Sequence, residues 1–442
     1  MIRPMTSVVP AYRRGFVEAC LDGAPVSARQ WIEELEAVTN DRVAPRAAEV
    51  DRDAAYPREQ LDALARIGIF GMTAPEAAGG LGFSDAVAVL AVETIAAACA
   101  STAAIIMFHT QVVRRVVRHG SERQRCDDLP RLATGEWRGV SAWSEAGAGA
   151  DKSDMKSRLH SDHSDWTVAA HKTYTSGLEG ANIIHALVGS TGPDGRVLPT
   201  FVRVAVAAPQ VEILDICDLV GLRGSSTGSV RIDHAPVTHV DLLGGLGSGR
   251  RLMADNHASG LNPGVLALGI GRAAFDVARR YVTSDMLGRS GLSQSQAVRF
   301  ALSELEVELG AAYAYAAQAV RYAAAGASDV HLDCIRFKLH ATARLAECVA
   351  RAAQLCGAVG MTSELPVERH LRDAQAAVAM GPTNHLIREQ VAHQILTNPD
   401  EGSRAWVRTG AGTARVRRSR GQHTEPATCT TTIRRTKTSR AG

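Results

Sequence analysis

The stretch SAWSEAGAGADKSD, Ser141 to Asp154, followed by HKTYTSG, His171 to Gly177, decides how the rest of the chain is read. Gly147, Gly149 and the alanines around them put no large side chain in the way, so a bulky ligand can approach the backbone here. WTVAAHKTYTS alternates as a strand does and would set Tyr174 and Ser176 on one face. A glycine-rich loop beside such a strand makes a candidate cofactor wall. The same composition also serves plain connectors, and these residues by themselves leave both readings open.

Residues 138 to 240 hold short β-branched runs broken by turn residues, among them DWTVAAH, NIIHALVG, PTFVRVAV, QVEILD and GSVRID, the pattern of a β-barrel or sandwich. Ahead of them, residues 27–47 and 57–69 carry helical spacing, with Trp31, Leu35 and Val38 in the first and Leu61, Leu64 and Ile67 in the second. Residues 84–118, rich in Ala, Val and Ile, predict buried helices interrupted at Phe108, His109 and Thr110. GGLGSGR, Gly244 to Arg250, leads into long alanine-rich amphipathic segments over 252–281, 293–325, 329–359 and 366–395, which suit an antiparallel bundle. The expected division is an N-terminal extension (1–26), an all-α domain (27–137), a middle β-domain (138–243), a C-terminal four-helix bundle (244–398) and a basic tail (399–442).

Composition agrees with a multi-domain globular protein. A chain of 442 residues is too long for one compact core. Hydrophobic residues make up 45%, mean hydropathy is −0.05, and no run of uncharged apolar residues is long enough to span a membrane. The N-terminal MIRPMTSVVPAYRRGF lacks an apolar signal core, and the eight cysteines form no CxxC pair, so neither export, a disulfide framework nor a zinc site is indicated. A cytoplasmic location is expected. The net charge of +3 hides an asymmetry: residues 401–442 hold ten basic side chains against Glu401 and Glu425, a surplus of +8 that leaves −5 on the rest. That tail is rich in Thr, Gly and Arg and is expected to be disordered. Only Trp406 interleaves its charges, which argues against a nucleic-acid arm.

The opening stretch resembles the middle domain of the acyl-CoA dehydrogenase superfamily of flavoproteins, where a VTEPGAGSD-like loop precedes GxKxWIT. Further matches follow in order: PEAAGGLG (Pro75–Gly82), GLRGSSTGSVRIDHAPV (Gly221–Val237), QLCGAVG (Gln354–Gly360) and ERHLRDA (Glu368–Ala374). Together they cover about residues 30 to 395. The resemblance implies the same three-domain fold, bound FAD, an acyl thioester substrate and a homodimer or homotetramer. It implies that the flavin ring lies between the β-domain and the bundle, contacted by Ser144, Tyr174 and Ser176, with Trp143 able to cover it and Gly149 in the glycine loop. Gln296 is counted with the cofactor contacts. Gln354 and Gly357 match the turn that reaches the adenine half of a neighbouring subunit's FAD, and Thr383 matches a pyrophosphate or ribose contact. His109 would border the acyl pocket and Arg223 would be the basic residue near it.

Several positions depart from the pattern. Members of the family abstract an α-proton with a glutamate in RDAxxxxxxEGT; here RDAQAAVAMGPT puts Gly381 in its place. The alternative position, early on the first bundle helix, is Ser259 by counting back from LALGIG. Substitute bases are Asp255, His257 and His385, with His109 as a further candidate. The serine of GAGSD is Ala150 and the arginine of RxxFG is Ser284, which removes a charge-assisted contact of about 1.5–3 kcal/mol. Three readings follow: an FAD-dependent oxidoreductase acting on an acyl or hydroxyacyl unit of an acyl carrier protein in specialised metabolism; a flavin-dependent monooxygenase or N-hydroxylase; or a degenerate, non-catalytic paralogue.

Overall fold

The computed structural model describes residues 9–147, 155–162, 165–284, 291–327 and 329–397; Gly149, Ala150 and the basic tail lie outside them. Residues up to Ala392 form one compact unit.

The first helices are α1 (Ala11–Leu21), α2 (Val26–Val38), α3 (Ala47–Arg52), α4 (Arg58–Ala65), α5 (Asp85–Ala98), α6 (Ala100–His119) and α7 (Leu129–Thr134). The segment expected to be an extension thus contributes α1, which buries Phe16 and Cys20 in the helical core. The buried run 84–118 breaks at Cys99, whose extended backbone separates α5 from α6, and not at Phe108–Thr110, which lie inside α6. Ser84 caps α5 by accepting the N–H of Val87.

The middle domain is a mixed sheet of β1 (Gly139–Ala142), β2 (Arg158–Asp162), β3 (Asp165–Thr175), β4 (Ile183–Thr191), β5 (Val197–Ala205), β6 (Val211–Ile216), β7 (Gly228–Val237) and β8 (Leu242–Leu243). Its order is β6-β7-β3-β2-β4-β5-β8, with β1 parallel to β4. The sheet is mixed because β1 and β2 pair parallel to β4 while the other ladders are antiparallel, and among the described residues no ladder joins β6 to β8 to close it.

The C-terminal helices are α8 (Gly249–Ala258), α9 (Pro263–Thr283), α10 (Gln296–Ala324), α11 (Val330–Leu355), α12 (Val367–Ala379) and α13 (Asn384–Thr397). Two of the expected long helices are split. Gly260 takes φ +76°, and Asn262 accepts the N–H of Gly264 to start α9 with Pro263 in its first turn. Gly381 takes φ +67° before Pro382, which separates α12 from α13.

Two polar devices hold the layers. Glu93 on α5 is fully buried and accepts from Arg13 of α1 (2.6 Å), Arg272 of α9 (2.8 Å) and the Tyr313 hydroxyl of α10 (2.5 Å). Burial alone would raise its carboxyl, but the two guanidinium groups and the phenol outweigh that and hold it at about 2. In ERHLRDA, Arg372 grips both oxygens of Asp51 (2.9 and 2.6 Å) and Asp373 accepts the N–H of Leu222 (2.6 Å), so this motif joins α12 to the N-terminal helices and to the loop before β7. Gly221 is required there, because a Cβ would stand 2.2 Å from the Arg372 carbonyl oxygen.

Candidate active site

β1 ends at Ala142, and Ser144 then bridges Thr173 of β3, whose N–H reaches the Ser144 carbonyl at 3.0 Å. Between them Glu145 meets Lys172, which is fully buried, at 2.5 Å. The Glu145 carboxylate also accepts the backbone N–H groups of Lys156 (2.6 Å) and Ser157 (3.2 Å), which fixes where the chain re-enters after the glycine loop. Burial favours the protonated acid, but the Lys172 hydrogen bond and charge prevail and keep the Glu145 carboxyl below its ordinary value.

The β3–β7 register shifts between Lys172 and Thr175, and at that bulge Tyr174 adopts φ +53° with 69% of its surface exposed. Ser176 is buried instead, 2.7 Å from the Thr227 hydroxyl. The expected placing of Tyr174 and Ser176 on one face of a regular strand is corrected by this bulge. A left-handed backbone on a bulky residue costs about 1–3 kcal/mol, and what it does here is turn a flat aromatic ring out of the sheet beside the exposed Ser144. The buried hydroxyls of Thr173 and Thr175 have no hydrogen-bond partner among the described residues. An exposed ring flanked by hydroxyls fits the flat, heteroatom-rich ring of a flavin.

The bundle supplies a second piece. Lys338 of α11 is 1% exposed, and its ammonium donates to the carbonyls of Val378 (3.3 Å) and Pro382 (3.0 Å) and to Asn384 Oδ1 (2.9 Å). These acceptors bracket Gly381, the position aligned with the missing glutamate, and desolvation pushes the Lys338 ammonium down to about 8. A Cβ at Gly381 would touch Pro263 at 3.5 Å, so this loop lies against the start of α9.

The N-terminal domain of the acyl-CoA dehydrogenase family matches residues 27–136 and its C-terminal domain matches residues 259–396. The chain belongs to the acyl-CoA dehydrogenase superfamily. It is 28% identical over 371 residues to a probable acyl-CoA dehydrogenase of Mycobacterium leprae, covering 82% of this chain and 93% of the relative. In structure it is similar to a glutaryl-CoA dehydrogenase from Mycobacterium smegmatis in complex with FADH2, with TM-score 0.76, 21% identity and 85% and 95% of the two chains covered. It is also similar to the prolyl acyl carrier protein oxidase AnaB, with TM-score 0.76, 19% identity and 84% and 99% covered.

As an acyl-CoA dehydrogenase relative, the chain places its other candidate residues unequally. His109 accepts the N–H of Gly139 through Nδ1 (3.1 Å) and lies 3.1 Å from the Leu132 carbonyl through Nε2, with its ring edge-on to Phe70. Both nitrogens are committed to the backbone, so His109 ties α6 to α7 and β1 and turns no free nitrogen towards an acyl pocket. Arg223 donates to the Asp51 carbonyl (2.9 Å), Asp218 (2.8 Å) and the Leu219 carbonyl (3.1 Å), a tether between domains. Ser259 donates to the Asn256 carbonyl (2.6 Å) and accepts from Leu261, shaping the corner between α8 and α9.

Of the substitute bases, Asp255 is held by Arg118 at 2.6 Å and His119 at 3.2 Å. His385 is exposed in a groove of about 570 Å³ between α11, α12 and the start of α13, together with Thr383 and Arg388. Thr383 accepts the N–H of Leu386 there and caps α13. His257 is half-buried, with its ring 6.3 Å from that of Trp143, and has no hydrogen-bond partner among the described residues. Burial, then the charges of His331 and Lys338, push it down to about 4. Trp143 itself packs against Phe201 at 5.3 Å, on the α8 side of the wall. Gln296 opens α10, Gln354 is exposed near the end of α11, and Gly357 follows with φ +63°. The reading of the sequence missed Lys338 and the Glu145–Lys172 pair; a single lysine inside the apolar face of IRFKLHA was the signal for the first.

Proposed function

We propose that this chain is a cytoplasmic FAD-dependent oxidoreductase that oxidises a hydroxyacyl unit, or an acyl unit, tethered as a thioester to an acyl carrier protein in specialised metabolism. The observation that carries the flavin part is Tyr174, a strained and exposed aromatic beside Ser144 at the family's cofactor wall. FAD, when bound, supplies the hydride acceptor. The chain has to orient the substrate and take its proton, and Gly381 offers no carboxylate for a C–H proton. A hydroxyl proton is more acidic than an α-C–H and suits a weaker base. Among the described residues His257 and His385 both keep uncommitted ring nitrogens, and His257 is the one beside Trp143 of the wall: at neutral pH its imidazole is neutral and able to accept. The similarity to a carrier-protein oxidase supports the carrier tether. The reading carries a homodimer or homotetramer with it, because exposed Gln354 and Gly357 then serve a neighbouring subunit's cofactor.

The absence of a carboxylate at position 381 also suits a flavin monooxygenase or N-hydroxylase, which needs no α-proton base. Visible absorption of the purified protein, before and after excess FAD, is the first test. About one flavin per chain, bleached anaerobically by a carrier-bound hydroxyacyl thioester without NAD(P)H, is the expected result. Flavin that bleaches only with an external reductant moves the reading to the monooxygenase. No flavin uptake overturns both and leaves a non-catalytic paralogue.

A further inference from the structure

Arg115 is a buried cation with no carboxylate at ion-pair distance among the described residues; the anion whose charge reaches it, Asp255, is held by Arg118. Its neighbours each have such a carboxylate: Arg114 holds both oxygens of Asp85 (2.5 and 2.8 Å), Arg203 both oxygens of Asp128 (3.0 and 3.0 Å), and Arg118 meets Asp255 at 2.6 Å. Arg115 is 3% exposed. Its Nη1 lies 2.9 Å from His185 Nδ1 and its Nη2 donates to Ser141 Oγ at 3.2 Å, while the guanidinium lies over the rings of Phe201 (4.5 Å) and Trp143 (5.8 Å). Burial and the adjacent Arg115 charge keep His185 neutral, so with Nδ1 accepting from Arg115 its proton is on Nε2. Among the described residues that Nε2 has no hydrogen-bond partner, and neither do Arg115 Nε and Trp143 Nε1. A full positive charge and three unanswered N–H donors in one seam call for anionic oxygen.

The seam adjoins the cofactor wall, since Ser141 and Trp143 belong to the segment that runs directly into Ser144. We propose that Arg115 receives an anionic oxygen group of the substrate, either a carboxylate at the far end of the acyl unit or the phosphate of its phosphopantetheine tether. The proposal rests on the flavoenzyme reading and names a substrate feature which that reading leaves open. The planar guanidinium presents paired donors that match either oxyanion, and the ring faces of Phe201 and Trp143 partly offset its charge while no anion is bound.

The test uses the full chain loaded with FAD, following thermal midpoint and flavin absorption during titration. Three probes are compared: a carboxyl-terminated acyl pantetheine thioester, a methyl-terminated one of equal length, and phosphopantetheine without an acyl group. The wild-type protein is expected to bind the carboxyl-terminated probe at least tenfold more tightly than the methyl-terminated one, and Arg115→Met to lose that preference. If Arg115→Met instead weakens phosphopantetheine tenfold and the acyl terminus makes no difference, the anion is the tether phosphate and the proposal stands. Equal binding of all three probes by wild type and variant overturns it. Ligand-free Arg115→Met is expected to melt at or above the wild-type midpoint, because an unanswered buried charge has been removed; a marked fall with unchanged binding assigns Arg115 to the fold and also overturns the proposal. Failure to take up FAD strikes the flavoenzyme reading separately, since the thermal midpoints report on Arg115 without flavin.

Discussion

Glu93 and Lys338 are both buried helical charges, and the chain treats them in opposite ways. Glu93 receives two guanidinium groups and a phenol from three other helices, so its charge is matched and its oxygens are engaged. Lys338 receives only neutral acceptors, two carbonyls and an amide oxygen, so its charge is solvated but not neutralised. The first arrangement locks helices together. The second fixes one loop, the loop that holds Gly381, and leaves net positive potential beside the candidate site. The Glu145–Lys172 pair shows that matched charge also braces the cofactor wall, so the contrast lies between a charge that locks elements together and one held only by neutral acceptors.

The largest effect that tests this contrast is at Glu93. Glu93→Ala strands Arg272 without a counter-charge and leaves Arg13 only its 3.4 Å contact with Glu36, and a loss of about 3–5 kcal/mol is expected in urea unfolding. The pH dependence has a definite sign. The folded-state carboxyl is held at about 2, below the ordinary glutamate value of 4.5, so the unfolded chain binds the proton first. Its contribution is fully present above about pH 4.5 and is lost as the pH falls towards 2. A wild-type and Glu93→Gln pair whose unfolding free energies keep a constant gap across that window would contradict the matched-charge account.

Lys338 should respond more weakly and in the other direction. Its folded-state value of about 8 lies below the ordinary 10.5, so between those values the unfolded chain binds more protons and stability rises with pH. Lys338→Met removes the buried charge but takes the ammonium from the Val378 and Pro382 carbonyls and leaves Asn384 Oδ1 only the Thr342 hydroxyl, for a net loss of about 1–3 kcal/mol at neutral pH. The variant should lack the alkaline gain. Urea midpoints of wild type and variant at pH 7.5 and 10 decide it: parallel behaviour would show that Lys338 is not the group responsible.

The same contrast explains what was legible in the sequence. Three-domain organisation could be read because its signals are local: alternation in the strands, helical spacing in 27–47 and 57–69, and the motif order from PEAAGGLG to ERHLRDA. The glycine and proline breaks at Gly260–Pro263 and Gly381–Pro382 were on the page too, but alanine-rich helical spacing on both sides masked them. Arg13 and Glu93 are 80 residues apart, and nothing in the surroundings of either announces the other. Residues 1–26 therefore read as an extension in the sequence, although they hold α1. Tyr174 was identified by resemblance, yet its outward turn was not, because strand alternation presumes a regular pleat and a positive φ on tyrosine has no sequence signature. His109 and Arg223 were drawn towards the site by motif position alone; their hydrogen bonds are set by backbone groups that only the fold brings near.

The smallest structural perturbation gives the sharpest functional test. Gly381 has φ +67°, so a side chain there is strained by about 1–2 kcal/mol. The nearest atoms to a Cβ belong to Pro263 at 3.5 Å, an ordinary contact, so Gly381→Glu should fold with a correspondingly small fall in urea midpoint. The new carboxylate would stand on the loop whose flanking carbonyls Lys338 holds, where a nearby ammonium lowers a carboxyl's proton affinity and keeps it ionised at neutral pH. If position 381 is what separates this chain from relatives that abstract an α-proton, the FAD-loaded variant should bleach anaerobically with a simple saturated acyl thioester while the wild type does not. A variant that folds, keeps its flavin and still fails to bleach would place the difference elsewhere in the pocket. Attention would then move to Arg115 and His257, since a carboxylate in the right loop cannot act on a substrate that the seam orients differently.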